Sequence, residues 1–295
     1  MGRGAKSRSS TKTADTATLP LFASAMRQQP ATLDRVVEEP RPSHVSTGLA
    51  SVDQALRGGF AVGGATLVAA RPDGGGTSLL LGAALSALER GERVAVFTET
   101  MKDEQLRARM VVMASKVNGY RFRAGFVTAE DRIALAVARE RIPWTQLTVV
   151  DRRKLSVDDL DAHLFSYRPL FVIADMMPRA PNAAAPAALA SLMEGAELIA
   201  GLARKHQVAL ALRWVMPQAE HVPDVVELPG VGALARPFDA VAIVHRDERQ
   251  AEREPEPEAS VADAQVRVLR VAGHDVEPRI VPLRFDQRFA GLLEA

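Results

Sequence analysis

Residues 69–81 read AARPDGGGTSLLL, a stretch with most of the chemistry of a phosphate-binding turn. The pattern for such a turn is G-x-x-x-x-G-K-[ST], set between a buried strand and a helix. Gly74, Gly75 and Gly76 can rotate successive backbone N–H groups inward, and a helix start beyond them favours an anion. Thr77 stands where a hydroxyl would hold magnesium, with Ser78 beside it. The lysine position holds Gly76, and the first glycine position is read at Ala69. Arg71, Pro72, Gly74, Gly75, Gly76, Thr77 and Ser78 are therefore the candidate nucleotide-binding set. Two readings stay open: a degenerate site for a nucleotide or phosphate, or a glycine-rich strand-to-helix turn that binds nothing.

The flanking elements suit either reading. GATLVAA (64–70) is expected to be the strand and TSLLLGAALSALERG (77–91) the helix. Strands RVAVFTET (93–100), LTVVD (147–151), PLFVIADMM (169–177) and VALALRWV (208–215) alternate with helices at 102–117, 156–167 and 186–206. Apolar strands alternating with amphipathic helices predict an α/β fold with a mostly parallel sheet covered on both faces. Strands at 240–246, 265–272 and 279–285 follow without helices, the last two expected as a hairpin at the sheet edge. Residues 246–263 read as a charged surface loop. Residues 1–18 are polar and basic, with Arg3, Lys6, Arg8 and Lys12, and are expected to be disordered. Residues 19–40 carry short apolar patches between prolines. A tail and linker at 1–44 and one domain at 45–295 are the expected division.

Bulk composition narrows the class. The chain has 295 residues, 47% hydrophobic and 25% charged, with a formal net charge of +1. That balance gives no global pull toward nucleic acid or membrane. Without cysteine there are no disulfides and no thiolate zinc sites. No apolar run reaches about 18 residues, and the amino terminus lacks an apolar segment, so neither a membrane span nor a secretory signal is expected. The expected location is the cytoplasm.

Several colinear stretches together resemble the carboxyl-terminal motor domain of the DnaB family of replicative helicases. They are STGLASVDQALRGGFAVGGATLVAARP (46–72), FTETMKDEQLRARM (97–110), RAGFVTAED (123–131), LSVDDL (155–160), FVIADMM (171–177) and FDAVAIVHRDE (238–248). The resemblance spans roughly residues 45–290 and implies a RecA-like P-loop NTPase fold. It also implies an ATP and magnesium site, ring assembly, DNA contact and a DNA-replication context. The family's amino-terminal helical domain is not expected in this chain.

The resemblance also shows what is missing. Asp175 matches the magnesium aspartate, so Thr77 and Asp175 form a weak candidate magnesium pair. The family's catalytic glutamate matches Thr100, with Glu99 one residue early and expected on the opposite face as a solvated acid. The basic run that faces the next subunit matches Ala272, Gly273 and His274, with Arg270 as a substitute. The loop at 177–186 offers only Arg179 to DNA, and the loop at 214–235 carries Glu220, Asp224 and Glu227 but no lysine or arginine. No catalytic residue is assigned. The expected function is a degenerate relative with weak or absent ATP hydrolysis, acting through protein contacts; an active helicase with an atypical loop is the alternative. Self-association or an intact replicative helicase is the expected partner, with segment 19–40 as the docking element.

The remaining candidates read as structure. None of the six histidines has metal-ligand spacing. Trp214 and Met216 are expected in the core or at an interface, and Met101, Met110 and Met113 on one buried helical stripe.

Overall fold

Every residue of Ala65–Ala70 is buried, and this strand, β3, sits near the middle of a nine-stranded sheet. Apolar but for the buried Thr66, it has no polar face to give to water, which is the signature of a strand covered on both faces. The computed structural model describes residues 42–176, 189–219, 221–229, 232–246, 261–271 and 278–295. Residues 1–41 of the tail and linker, the 177–186 loop, Glu220, the acidic run at 247–258 and residues 272–274 fall outside these. Residues Ser43–Ala295 form one compact unit.

Two short strands, β1 (His44–Val45) and β2 (Phe60–Ala61), pair antiparallel around helix α1 (Ala50–Ala55). After β3 come α2 (Gly76–Glu89), β4 (Val94–Thr98) and α3 (Asp103–Ser115). Two further helices follow, α4 (Gly119–Arg123) and α5 (Ala129–Arg141), then β5 (Leu147–Asp151), α6 (Val157–Tyr167) and β6 (Phe171–Asp175). Helix α7 (Leu189–His206) leads to β7 (Ala209–Val215) and β8 (Ala240–Arg246). The chain closes with β9 (Val261–Val271), β10 (Arg279–Asp286) and β11 (Gly291–Glu294).

Strand order across the sheet is β11-β10-β9-β8-β3-β7-β6-β4-β5. The six strands from β8 to β5 run parallel; β9, β10 and β11 extend the sheet antiparallel. Alternation along β3 splits the core. Val68 and Ala70 join the cluster under α2 and α3, whereas Ala65, Leu67 and Ala69 join the cluster under α6 and α7. A period of two on a buried strand requires this division.

The mostly parallel α/β sheet matches the expected class. Met110 and Met113 are buried and Met101 packs against the same cluster, as the stripe predicts. Met216 is buried and Trp214 packs against the second cluster. Two features differ from expectation. The sheet edge is β11, a four-residue strand beyond the anticipated hairpin. Helices α4 and α5 fill a stretch that was given no helix. The start of α5 was legible: Thr128 Oγ1 accepts from Asp131 N at 3.1 Å while Asp131 Oδ2 accepts from Thr128 N at 2.9 Å. This reciprocal cap is encoded as T-A-E-D before an apolar-periodic run.

Candidate functional site

The glycine loop joins the end of β3 to the start of α2, at the carboxyl ends of the parallel strands, where open α/β sheets place their ligand crevice. Gly74 N donates to Arg71 O at 3.0 Å, and Asp73 adopts a left-handed backbone with φ of 58°. Gly75 caps the helix at φ 95°, a conformation that glycine takes without a Cβ penalty. A Cβ on Gly76 would lie 2.8 Å from Ala70 Cβ. Counting back from Thr77, the first glycine position falls on Ala70, not Ala69. The loop thus has its two small residues exchanged: alanine where the pattern has glycine, and glycine where it has lysine. The alanine methyl fills the space that a lysine stem would need.

Around this loop lies a cleft of about 770 Å³. Arg71, Gly75, Gly76, Thr77 and Ser78 line it; Pro72 and Gly74 belong to the same turn but do not. Six arginines face the cleft (Arg71, Arg109, Arg123, Arg213, Arg246 and Arg288), against one lining carboxylate, Asp73. None of the six arginines except Arg71 was picked out from the sequence. Their source elements are far apart along the chain, and only the fold gathers them.

Thr77 and Asp175 share a small cavity of about 20 Å³ with Arg213. Asp175 is 8% exposed, and both its oxygens are engaged. Oδ1 accepts from Arg213 Nη1 at 2.7 Å; Oδ2 accepts from Thr100 Oγ1 at 2.6 Å and from Thr98 Oγ1 at 3.2 Å. Magnesium fits this donor set poorly, because the carboxylate that shares this cavity with Thr77 already neutralises a guanidinium. No cluster of three or more acidic or histidine side chains suited to a metal occurs among the described residues.

Glu99 lies beyond the end of β4, and its Oε1 accepts from Leu155 N at 2.9 Å. Leu155 belongs to the α6 and α7 side of the core, opposite the glycine loop. Glu99 is half-buried and hydrogen-bonded rather than a solvated acid. It is committed to holding the start of α6.

The acids of the 214–235 loop are also paired. Glu227 Oε2 meets Arg71 Nη2 at 2.8 Å, Arg71 Nη1 donates to Ala219 O, and Asp224 Oδ2 meets Arg267 Nη2 at 3.4 Å. These contacts tie the loop to the glycine turn and to β9. Asp224 and Glu227 are thus not free repulsive charges.

A glycine turn, a nine-stranded mostly parallel sheet and a crevice at its carboxyl edge define a RecA-like P-loop fold. The model of the DnaB-like helicase C terminal domain matches residues 44–290, and the chain belongs to that family. It is 30% identical over 119 residues to the replicative DNA helicase DnaB of Geobacillus stearothermophilus, a match covering 40% of this chain and 26% of that relative. The chain thus matches about a quarter of that protein's length. Among solved structures it is similar to the ATPase domain of G40P, with a TM-score of 0.73 at 16% identity over 95% of this chain and all of that one. A DnaB-like replicative helicase, in a structure titled for its interactions with primase, gives a TM-score of 0.73 at 17% identity, covering 94% of this chain and 71% of that one. No helix among the described residues is long and apolar enough to cross a membrane.

Proposed function

We propose that this chain is a DnaB-type motor domain that has kept an anion-binding cleft, lost ATP hydrolysis, and serves DNA replication in the cytoplasm through protein contacts. One observation carries the reading: the position that matches the family's water-activating glutamate holds a threonine. Thr100 occupies the catalytic position and bonds to Asp175, while Glu99 holds Leu155 on the far side of the sheet. Phosphoryl transfer needs charge and a positioned water together, and an arginine finger alone contributes roughly 10³–10⁵ in rate. Loss of the base and the loop lysine, with Asp175 held in an ion pair by Arg213, leaves no route to comparable turnover. Nucleotide binding, where it occurs, then acts as an assembly signal rather than as fuel.

The proposed partner is a second copy of this chain or an intact replicative helicase subunit, engaged through residues 19–40. The sequence there gathers Leu21, Phe22, Met26, Leu33 and Val36 in a short segment, and apolar groups at that density suit an interaction element. Phosphate release from ATP with and without single-stranded DNA tests the reading; rates at the no-protein background support it, and rates of an ordinary helicase refute it. The second reading, an active helicase with an atypical loop, is favoured by the positive cleft and predicts the opposite result in the same assay.

A further inference from the structure

Three of the six cleft arginines have acidic partners: Arg71 with Glu227, Arg213 with Asp175 and Arg288 with Asp286. Arg109, Arg123 and Arg246 make no ion pair with a described residue. Arg123 lies over the Tyr120 ring at 4.9 Å and Arg246 over the Phe285 ring at 4.8 Å, contacts that leave a guanidinium's charge uncompensated. Arg109 reaches from α3 to the first turn of α2, where its Nη2 donates to Ser78 Oγ at 3.0 Å. Its Nε, like that of Arg246, is buried without a hydrogen-bond partner. Burial, followed by the neighbouring Arg213, pushes the Arg109 guanidinium below its ordinary value. Arginine nevertheless stays protonated. A half-buried, protonated guanidinium beside a helix N-terminus, with donors to spare, is set to receive an anion.

The same geometry disfavours a metal. Among the described residues, magnesium at Thr77 would meet Arg213 in ion pair with the one acid of that small cavity, and Asp73 is the one carboxylate that lines the cleft. A phosphate chain brings three to four negative charges of its own, and arginines can neutralise these directly through bidentate bonds. We propose that the cleft binds a linear polyphosphate without its magnesium ion, with Arg109 supplying at the loop the charge that a lysine at position 76 would supply, and Arg213 holding Asp175 away from metal. The polyphosphate is that of a nucleoside triphosphate or of inorganic triphosphate. This deepens the reading of a non-hydrolysing domain and rests on it.

The test is calorimetric titration of the full chain with ATP and with sodium triphosphate, each in excess EDTA and again in excess magnesium. Affinity in EDTA should equal or exceed that in magnesium. Arg109→Met should weaken binding roughly 10- to 100-fold, the loss of one charge-assisted contact. If that variant fails to fold by circular dichroism, Arg123→Met, on an exposed rim position, takes its place with a smaller loss expected. Binding of both compounds assigns the phosphate chain as the ligand, and binding of ATP alone assigns the nucleotide. Binding that requires magnesium, no heat from either compound up to millimolar concentrations, or Arg109→Met with unchanged affinity would overturn the proposal. ATP turnover in the magnesium arm would sink the non-hydrolysing reading instead, leaving the EDTA arm to judge the arginines.

Discussion

Replacing Gly76 by alanine should destabilise the protein, although glycine to alanine in the first turn of a helix ordinarily stabilises it. The ordinary gain is about 0.5–1 kcal/mol, from the entropy that glycine loses on folding. Here the new Cβ would sit 2.8 Å from Ala70 Cβ, a distance at which carbon atoms repel. Both residues are buried, so neither backbone can retreat into solvent. Overpacking of this kind costs typically 1–3 kcal/mol, which exceeds the gain and sets the sign. Ala70→Gly removes the obstructing methyl. In that background Gly76→Ala should turn neutral or stabilising, giving a favourable interaction of roughly 1–2 kcal/mol in a double-mutant cycle. Thermal melts of the four proteins read this as a shift of about 2–4 °C per kcal/mol for a domain of this size. Equal effects of Gly76→Ala in both backgrounds would show that the exchanged pair does not govern the loop. The same steric conflict bears on function. Gly76→Lys alone should fold poorly, whereas Ala70→Gly/Gly76→Lys should fold and gain nucleotide affinity without gaining turnover, because Thr100 still offers no base.

Glu99→Ala should lower stability by about 1–3 kcal/mol, the cost of leaving the Leu155 N–H without its acceptor, and should leave ATP turnover unchanged; a melt paired with a phosphate-release assay checks both. Asp159, hydrogen-bonded first to Arg152 and then to Ser156, has its carboxyl pushed from 3.8 down to about 2. A depressed folded value stabilises fully above the unfolded one, so this contribution is present above about pH 4 and is lost as pH falls toward 2. Asp159→Asn should flatten the acid limb of a stability curve in that window, and an unchanged curve would refute the assignment. Deleting residues 1–40 should abolish self-association or binding to a replicative helicase, read as mass in solution; unchanged masses would exclude the segment as the contact element.

The sequence disclosed the sheet because its parallel strands are mostly apolar and its helices amphipathic, so period separates them. The turn at 71–78 was legible for a related reason: glycines and the Thr-Ser pair are local, and local pattern suffices to place them between β3 and α2. The arginines were not legible. Arg109 is one of two arginines on a helix that otherwise reads as an ordinary amphipathic surface, and nothing local distinguishes it from Arg107, which pairs within the same helix with Asp103. Arg213 lies near the end of the otherwise apolar β7, and its role exists only because β6 and β7 are neighbours that bring it to Asp175. The fate of Glu99 was half visible: a one-residue offset foretold the wrong side, but the hydrogen bond to Leu155 depends on how α6 returns to the sheet. Likewise, the acids of the 214–235 loop looked repulsive because their partners, Arg71 and Arg267, lie far away in sequence.

A single-turnover experiment tests the central claim most directly. The full chain, in excess over radiolabelled ATP so that bound nucleotide dominates, is followed for hours with magnesium and single-stranded DNA. The account predicts that ATP stays intact at the level of the protein-free control. Stoichiometric conversion to ADP within that time would contradict it, since even one round of hydrolysis requires a group that positions and activates water.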